Sequence, residues 1–351
     1  MLQRKNIYIL SLFIAFELTT CKTQPVVYKE NNTTTSIPES DITLNKIAFG
    51  SCAKQDLSQH IWTDIAAAKP NLWIWLGDNI YATPKATPEM LKEKYNLQKN
   101  NVDYQAFLKT NTPVIGIWDD NDYGMSDGGK NYVWKKESQQ LMLDFLGVAA
   151  TAPQRKREGI YATYIYGKAK RQVKVILLDT RYFRDDLLRD TVSKKYLPDM
   201  EGDMLGETQW KWLESELKDS KSQVHIIASG TQILSSLHPF EKWANMPNSR
   251  KKLFDLIQKY QPSNTILITG DRHVAEIDVI SLPNYKNLYE ITSSGITHIG
   301  TIRDEENPYR IGSSINELHY ATIEIDWEKR PIAIVFKVIG EKNVLLREKK
   351  K

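Results

Sequence analysis

The stretch Leu72-Trp73-Ile74-Trp75-Leu76-Gly77-Asp78-Asn79-Ile80-Tyr81 decides the fold. Its first five residues are apolar with no polar alternation, the pattern of a strand covered on both faces. Gly77 and Asp78 follow at once, so the chain leaves the sheet with a carboxylate at the strand's end. Two other runs end in the same manner. Lys46 to Gly50 leads into Ser51-Cys52, and Thr265 to Thr269 leads into Gly270-Asp271-Arg272-His273. In α/β sheets the carboxyl ends of the strands are where ligand sites assemble.

Between and after these runs, strand and helix patterns alternate. Apolar residues at helical spacing occur in Leu57 to Ala68, Trp134 to Leu146, Gly206 to Leu217 and Ser249 to Tyr260, and Thr87 to Lys109 reads as two short helices. Thr208 is a candidate cap for the helix that opens at Gly206. Strands are expected at Pro113 to Trp118, Tyr161 to Tyr166, Val173 to Leu178 and Val224 to Ala228, the middle two as a hairpin or neighbours. The end is β-rich: Glu276 to Ser281, Leu288 to Thr292, Tyr320 to Asp326 and Pro331 to Val338. Asp185 to Leu205 has no period and reads as a loop or lid beside the site. The pattern is that of a mixed α/β sandwich. The 351 residues suffice for one large domain or two small ones, and no composition shift marks a second.

Hydrophobic content of 41% and charged content of 26% fit an ordinary globular protein. The net charge of +4 is partly owed to Lys349-Lys350-Lys351 and the basic N-terminus, which leaves no single-sign field for a nucleic-acid platform. Arg4 and Lys5 precede a short apolar run, Ile7 to Phe16, as in a secretory signal and too short for a membrane span. Leu18-Thr19-Thr20-Cys21 resembles a bacterial lipoprotein box. Residues 1–20 are therefore expected to be a signal peptide, with Cys21 lipidated; cleavage nearby without lipid is the alternative. Residues 21–44, polar and rich in Thr, Asn, Ser and Pro, read as a flexible tether, 45–340 as the catalytic domain, and 341–351 as a basic tail. With Cys21 lipidated, Cys52 is the only remaining cysteine. An unpaired thiol in an exported protein is unusual; it is either buried and inert or a metal ligand.

Asp78, just after a glycine, can offer one oxygen to each of two cations. Tyr81 lies three residues on. A phenol ligates well only where a strong Lewis acid displaces its proton, so Tyr81 together with the Cys52 thiolate favours ferric iron over magnesium or calcium. Tyr81 fits a packed aromatic as well. If Thr269 to His273 stays extended, Asp271 and His273 point to one face, although the same residues suit a surface turn. Trp118-Asp119-Asp120-Asn121-Asp122-Tyr123-Gly124 carries three carboxylates and an amide, which suit either a hard divalent cation such as calcium or a solvated turn. In Leu178-Asp179-Thr180-Arg181, Arg181 is a candidate to grip an oxyanion through its fork, steadied by Asp179; a structural Asp–Arg pair is equally compatible.

Phe-Gly-Ser-Cys, Gly-Asp-Asn-Ile-Tyr, Trp-Asp-Asp-Asn-Asp-Tyr-Gly, Leu-Asp-Thr-Arg and Gly-Asp-Arg-His, in this order, resemble the alkaline phosphatase D family, distant relatives of purple acid phosphatases in the metallophosphatase superfamily. Leu205-Gly206-Glu207-Thr208-Gln209-Trp210 also looks like that family's helix opening. The resemblance spans Lys46 to Val338 and implies an αββα sandwich of two mixed sheets flanked by helices. It implies Fe3+ held by Cys52, Asp78, Tyr81 and His273, with Asp78 bridging to Ca2+, which Asp271 and Asp120 or Asn121 also hold. Asn121 stands where family members often have histidine. It can ligate or donate a hydrogen bond but cannot give a proton to a leaving group. Ser126 replaces a family asparagine.

The function expected is phosphomonoester hydrolysis by metal-bound hydroxide, with Arg181 and the second cation neutralising phosphoryl oxygens. Arg184, Lys194 and Lys195 favour monoesters. His238 is a candidate acid and His298 another. A phosphodiesterase on the same site is the close alternative, and a non-catalytic binding lipoprotein a more distant one. A serine hydrolase lacks its nucleophile elbow here. The partners expected are a small phosphate ester and, through the N-terminal lipid alone, a membrane; the address is the bacterial cell envelope.

Overall fold

The computed structural model describes residues 41–82, 84–300 and 305–351. The signal peptide, Cys21 and most of the tether lie outside the described residues. No helix among the described residues is long and apolar enough to cross a membrane.

The elements follow in chain order as β1 (Lys46–Gly50), α1 (Ile61–Ala68), β2 (Leu72–Leu76), α2 (Pro88–Lys99), α3 (Val102–Leu108), β3 (Val114–Ile117), α4 (Asp120–Tyr123) and α5 (Lys135–Phe145). Then come β4 (Ala162–Tyr166), β5 (Val173–Leu177), α6 (Gly206–Leu217), β6 (Val224–Ser229), α7 (Pro247–Tyr260) and β7 (Thr265–Thr269). The chain closes with β8 (Ala275–Ser281), β9 (Asn287–Ser293), β10 (His319–Asp326), β11 (Ala333–Gly340) and β12 (Leu345–Lys350). The strands form two six-stranded sheets, β12-β11-β10-β1-β2-β3 and β4-β5-β6-β7-β9-β8. Within the first, β1, β2 and β3 run parallel; within the second, β5, β6, β7 and β9 do. Both sheets are mixed, as expected.

Side-chain alternation shows how the sheets are layered. Val175, Leu177, Ile226, Ile266 and Ile268 join Phe49, Ile74, Ile323 and Phe336 in one buried cluster. Their neighbours Ile176, Leu178, Ile227 and Leu267 turn the other way and pack with Trp210 and Leu213 of α6 and Leu253 and Ile257 of α7. A period of two thus gives the second sheet one face toward its partner sheet and one toward helices. On the first sheet Trp73 and Trp75 meet Trp62 of α1 and Phe107 or Tyr104 of α3, with edge-to-face rings 4.8 to 5.5 Å apart among the tryptophans. The result is the αββα sandwich.

Two local readings are corrected. Thr208 does not cap α6: the cap position is Leu205, which makes no side-chain cap bond, because the turn at Gly206 (φ 70°) places Thr208 inside the first turn. Residues 341–351 are not a free tail, since β12 pairs antiparallel with β11. Its charged residues lie at an exposed sheet edge, where charge is tolerated and discourages edge-to-edge pairing.

Candidate metal centre

The polar tails of β1, β2, β3, β5 and β7 meet where the two sheets are stitched together. Ala53 N–H donates to Asp78 C=O (2.9 Å) and Ile296 N–H to Ser51 C=O (3.2 Å), which tie the turn after β1 to those after β2 and β9. Gly77 (φ 95°) follows β2 because a Cβ there would strike the main chain of Asp119, 2.6 Å away. Behind these turns Asp122 is a hub. Its fully buried carboxylate accepts the N–H of Asp119 (2.6 Å), Asp78 (3.2 Å) and Asn79 (3.1 Å). It thereby fixes the loops after β2 and β3 relative to one another.

Two donor sets result, sharing Asp78. Cys52, Asp78 and His273 each bring one ligand atom within 4.8 Å of the others, and so do Asp78, Asp119 and Asp120. Cys52 Sγ is 3.6 Å from Asp78 Oδ2, and Tyr81 Oη is 2.9 Å from His273 Nε2. The structure therefore brings Cys52, Asp78, Tyr81 and His273 together. Asn121 donates from Nδ2 to Asp78 Oδ2 (3.2 Å) and Asp120 Oδ1 (2.9 Å). The Asp271 carboxyl is close enough to Asp120 and Asp78 to repel both.

Burial pushes the Asp78 carboxyl up, and the neighbouring Cys52 and Asp120 add to it. Burial likewise raises Asp119, against the pull of Arg181. Asp271 is pushed up to about 7 by burial, and the Cys52 thiol to about 12 despite the opposing Ser294 hydroxyl. Burial also raises the Tyr81 phenol and lowers the His273 imidazole. Like charges are crowded here with only partial compensation from Arg181 and Arg272, and Asp119 Oδ2 is buried with no hydrogen-bond partner among the described residues. A cation fits both observations: it gives the bare oxygen a partner and reverses the repulsion. Sulfur, phenol and imidazole on one side and carboxylates with an amide on the other match a strong Lewis acid beside a hard, oxygen-loving cation.

Several expectations are corrected. Asp271 and His273 do not reach the site on an extended strand: β7 stops at Thr269, and both residues turn with φ of 70° and 55°. Cys52 and Asp78 also hold positive φ, 64° and 50°. Arg181 is fully buried and its fork is spent on carboxylates. It donates to Asp119 Oδ1 from Nε (2.9 Å) and Nη2 (2.5 Å) and to Glu241 Oε2 from Nη1 (2.8 Å). It does not face an oxyanion. Asp179 does not steady the guanidinium either; it accepts Trp118 Nε1–H (2.9 Å) and the main-chain N–H groups of Ile160, Arg181 and Tyr182. Arg184 is buried against Glu241 and the carbonyls of Asp127 and Gly128.

His238 is buried with no partner on either ring nitrogen among the described residues, and burial beside Arg272 and Lys242 pushes it down to about 2. His298 sits nearer the centre, its ring 4.4 Å from that of His273 and 4.9 Å from that of Tyr81. Ser126 is exposed and its N–H goes to Pro84 C=O (3.0 Å). Two participants went unassigned in the sequence. Asp119 was visible in the acidic run, but its place beside Asp78 depends on Gly77. Ser294, which touches Cys52 Sγ at 3.0 Å, had no signal beyond following a strand.

The chain is 23% identical over 286 residues to alkaline phosphatase D of Bacillus subtilis, a match covering 68% of this chain and 47% of that protein. The chain thus spans about half the length of that curated relative. The solved structure of PhoD superposes with a TM-score of 0.66 at 17% identity, covering 90% of this chain and 69% of the other. The anchor protein of the Plasmodium inner membrane complex shares the fold at a TM-score of 0.52 and 14% identity, with 88% and 89% covered. A sequence profile for the PhoD-like phosphatases matches residues 47–323, most of the chain and every strand-end motif described above, and so the chain belongs to the PhoD-like phosphatase family.

Proposed function

We propose that this protein hydrolyses phosphate monoesters at a two-cation centre, Fe3+ against Cys52, Asp78, Tyr81 and His273, and Ca2+ against Asp78, Asp119, Asp120, Asn121 and Asp271. The observation that carries the reading is the pair of donor sets that share Asp78. Cations held there supply Lewis acidity toward a water and toward phosphoryl oxygens. The remaining work belongs to side chains. Asp78 faces both sets, and Asn121, bonded to both of its oxygens, fixes its plane. Arg181 holds Asp119 through Oδ1 and so fixes the direction of its other oxygen. The Asn121 amide nitrogen spends its two hydrogens on Asp78 and Asp120 and, unlike a histidine at this position, has no proton to release to a leaving group. His298, against His273 and Tyr81, is the imidazole best placed to meet a leaving group.

Diester hydrolysis is the second reading, and one observation favours it. Arg184, expected to favour a doubly charged monoester, is occupied by Glu241, and Arg181, expected to grip a phosphoryl oxygen, is occupied by Asp119 and Glu241. A diester carries less charge and needs fewer cationic contacts. We also infer an exported protein held at the bacterial cell envelope by lipid on Cys21.

Elemental analysis of the purified protein, with rates on one aryl monoester and one aryl diester, tests the reading. Iron near stoichiometry, calcium, and colour from sulfur and phenolate donation to ferric iron are expected. A colourless, iron-free and fully active protein sinks it.

A further inference from the structure

We propose that Ser294 is a positioning residue whose hydroxyl donates a hydrogen bond to the Cys52 sulfur and so sets how strongly that sulfur donates to the metal. The inference rests on the reading of Cys52 as a ligand and goes beyond it. Ser294 lies just past the end of β9 and is fully buried. Its Oγ is 3.0 Å from Cys52 Sγ and accepts the main-chain N–H of His273 at 2.8 Å. A hydroxyl has one proton, and a thiolate has none to give. With Cys52 deprotonated, the serine is therefore the donor and sulfur the acceptor. Ser51 does not compete: its Oγ is 3.6 Å from the sulfur and sends its own proton to Ser293 C=O (3.1 Å). One hydroxyl thus connects two candidate ligands, through the sulfur of Cys52 and the backbone of His273.

The serine is held from behind. Its N–H donates to His319 Nε2 (3.0 Å), and His319 Nδ1 donates to Glu317 C=O (2.7 Å), which sets the tautomer. His319 is fully buried, and burial pushes it down to about 4, so it stays neutral and can accept at Nε2. Gly295 makes the room, because a Cβ there would run into the His319 ring at 2.5 Å.

Hydrogen bonds to a ligating sulfur withdraw electron density from it and tune the metal. Ser294→Ala is expected to shift the sulfur-to-metal absorption band to longer wavelength, in the protein with its native metal and in a Co2+-loaded form. Ser294→Thr, which keeps the hydroxyl, is expected to stay near the wild-type position. In the wild type, transfer from H2O to D2O is expected to shift the metal–sulfur stretch in resonance Raman spectra; in Ser294→Ala that shift disappears. An unmoved band in the alanine variant overturns the proposal. So does a wild-type stretch indifferent to D2O, which decides the matter even if the alanine variant does not fold. A wild type with no sulfur band at all instead removes Cys52 from the metal, and the underlying reading fails before Ser294 is in question.

Discussion

Glu276, Asp278 and Glu290 on β8 and β9 form one group of buried carboxylates; Asp78, Asp119 and Asp120, after β2 and β3, form another. In the first group the chain satisfies every oxygen. Glu276 takes Arg310 Nη1 (2.6 Å), Gln232 Nε2 (3.0 Å) and Asn307 Nδ2 (3.2 Å). Asp278 takes Asn307 Nδ2 on both oxygens (3.2 and 3.1 Å). Glu290 takes the N–H of Ile233 (3.0 Å) and Leu234 (2.5 Å) and Thr269 Oγ1–H (2.8 Å). In the second group Asn121 serves both oxygens of Asp78 and one of Asp120, the Asp127 N–H serves the other, and Arg181 serves Asp119 Oδ1, but Asp119 Oδ2 has no donor among the described residues. Burial alone does not distinguish a structural carboxylate from a ligand. What distinguishes them is whether the donors come from the chain or must come from outside.

The largest contrast is expected from one conservative change made in each group. Asp78→Asn should lose most bound metal and more than about 100-fold in turnover, beyond the usual loss on removing a ligand's outer partner. Asp278→Asn should leave metal content and turnover near wild type. Metal analysis and rates on the same preparations check both, and an active, metal-replete Asp78→Asn variant erases the distinction.

Next in size is Arg181→Met. It leaves Asp119 buried without its cation and Glu241 with Arg184 alone, so a destabilisation of about 3–5 kcal/mol is expected in denaturant titrations. Arg310→Met should be milder, because Glu276 retains Gln232 and Asn307. Equal losses would mean that the two groups are neutralised in the same way.

A smaller effect should appear with pH in chelated protein. Burial pushes Asp122 and Asp271 up to about 7 and Asp278 up to about 8. A carboxyl whose folded pKa lies above its unfolded value stabilises the fold fully at low pH and loses that contribution as pH rises through the folded pKa. The metal-free protein should therefore melt lower at about pH 9 than at about pH 5. Added cations should restore the share owed to Asp271 and leave those of Asp122 and Asp278. Melting curves with and without Ca2+ read the difference; a cation effect that is identical at both pH values counts against it. Smallest of all, Asn121→His should change the dependence of rate on leaving-group acidity more than it changes metal content, and an unchanged slope removes Asn121 from that role.

Part of the centre was legible from residues alone. Continuous apolar runs located β1, β2 and β7 and the glycines there implied close turns, which made Cys52, Asp78, Tyr81 and His273 candidates; that they form one shell was what the family resemblance implied. Arg181 was misjudged because a strand-end arginine looks the same whether it meets substrate or a buried Glu241 sixty residues on. The extended path assumed for Asp271 and His273 failed because Asp and His tolerate left-handed backbone well enough to turn without glycine. Ser294 and Asp119 depend on contacts between distant loops, which no local pattern encodes. β12 was hidden by its lysines, which are typical of tails and of exposed strand edges alike.

The left-handed backbone at Cys52, Asp78, Asp271 and His273 sets durability against chemistry. A residue with a Cβ in that region lies roughly 1–2 kcal/mol above glycine. Cys52→Gly should accordingly outlast Cys52→Ala on heating, although both lack the sulfur. Selection for soluble yield alone would drift toward glycine at these four positions and dismantle the centre while hardening the scaffold. Only selection on turnover holds the strained, ligand-bearing residues in place.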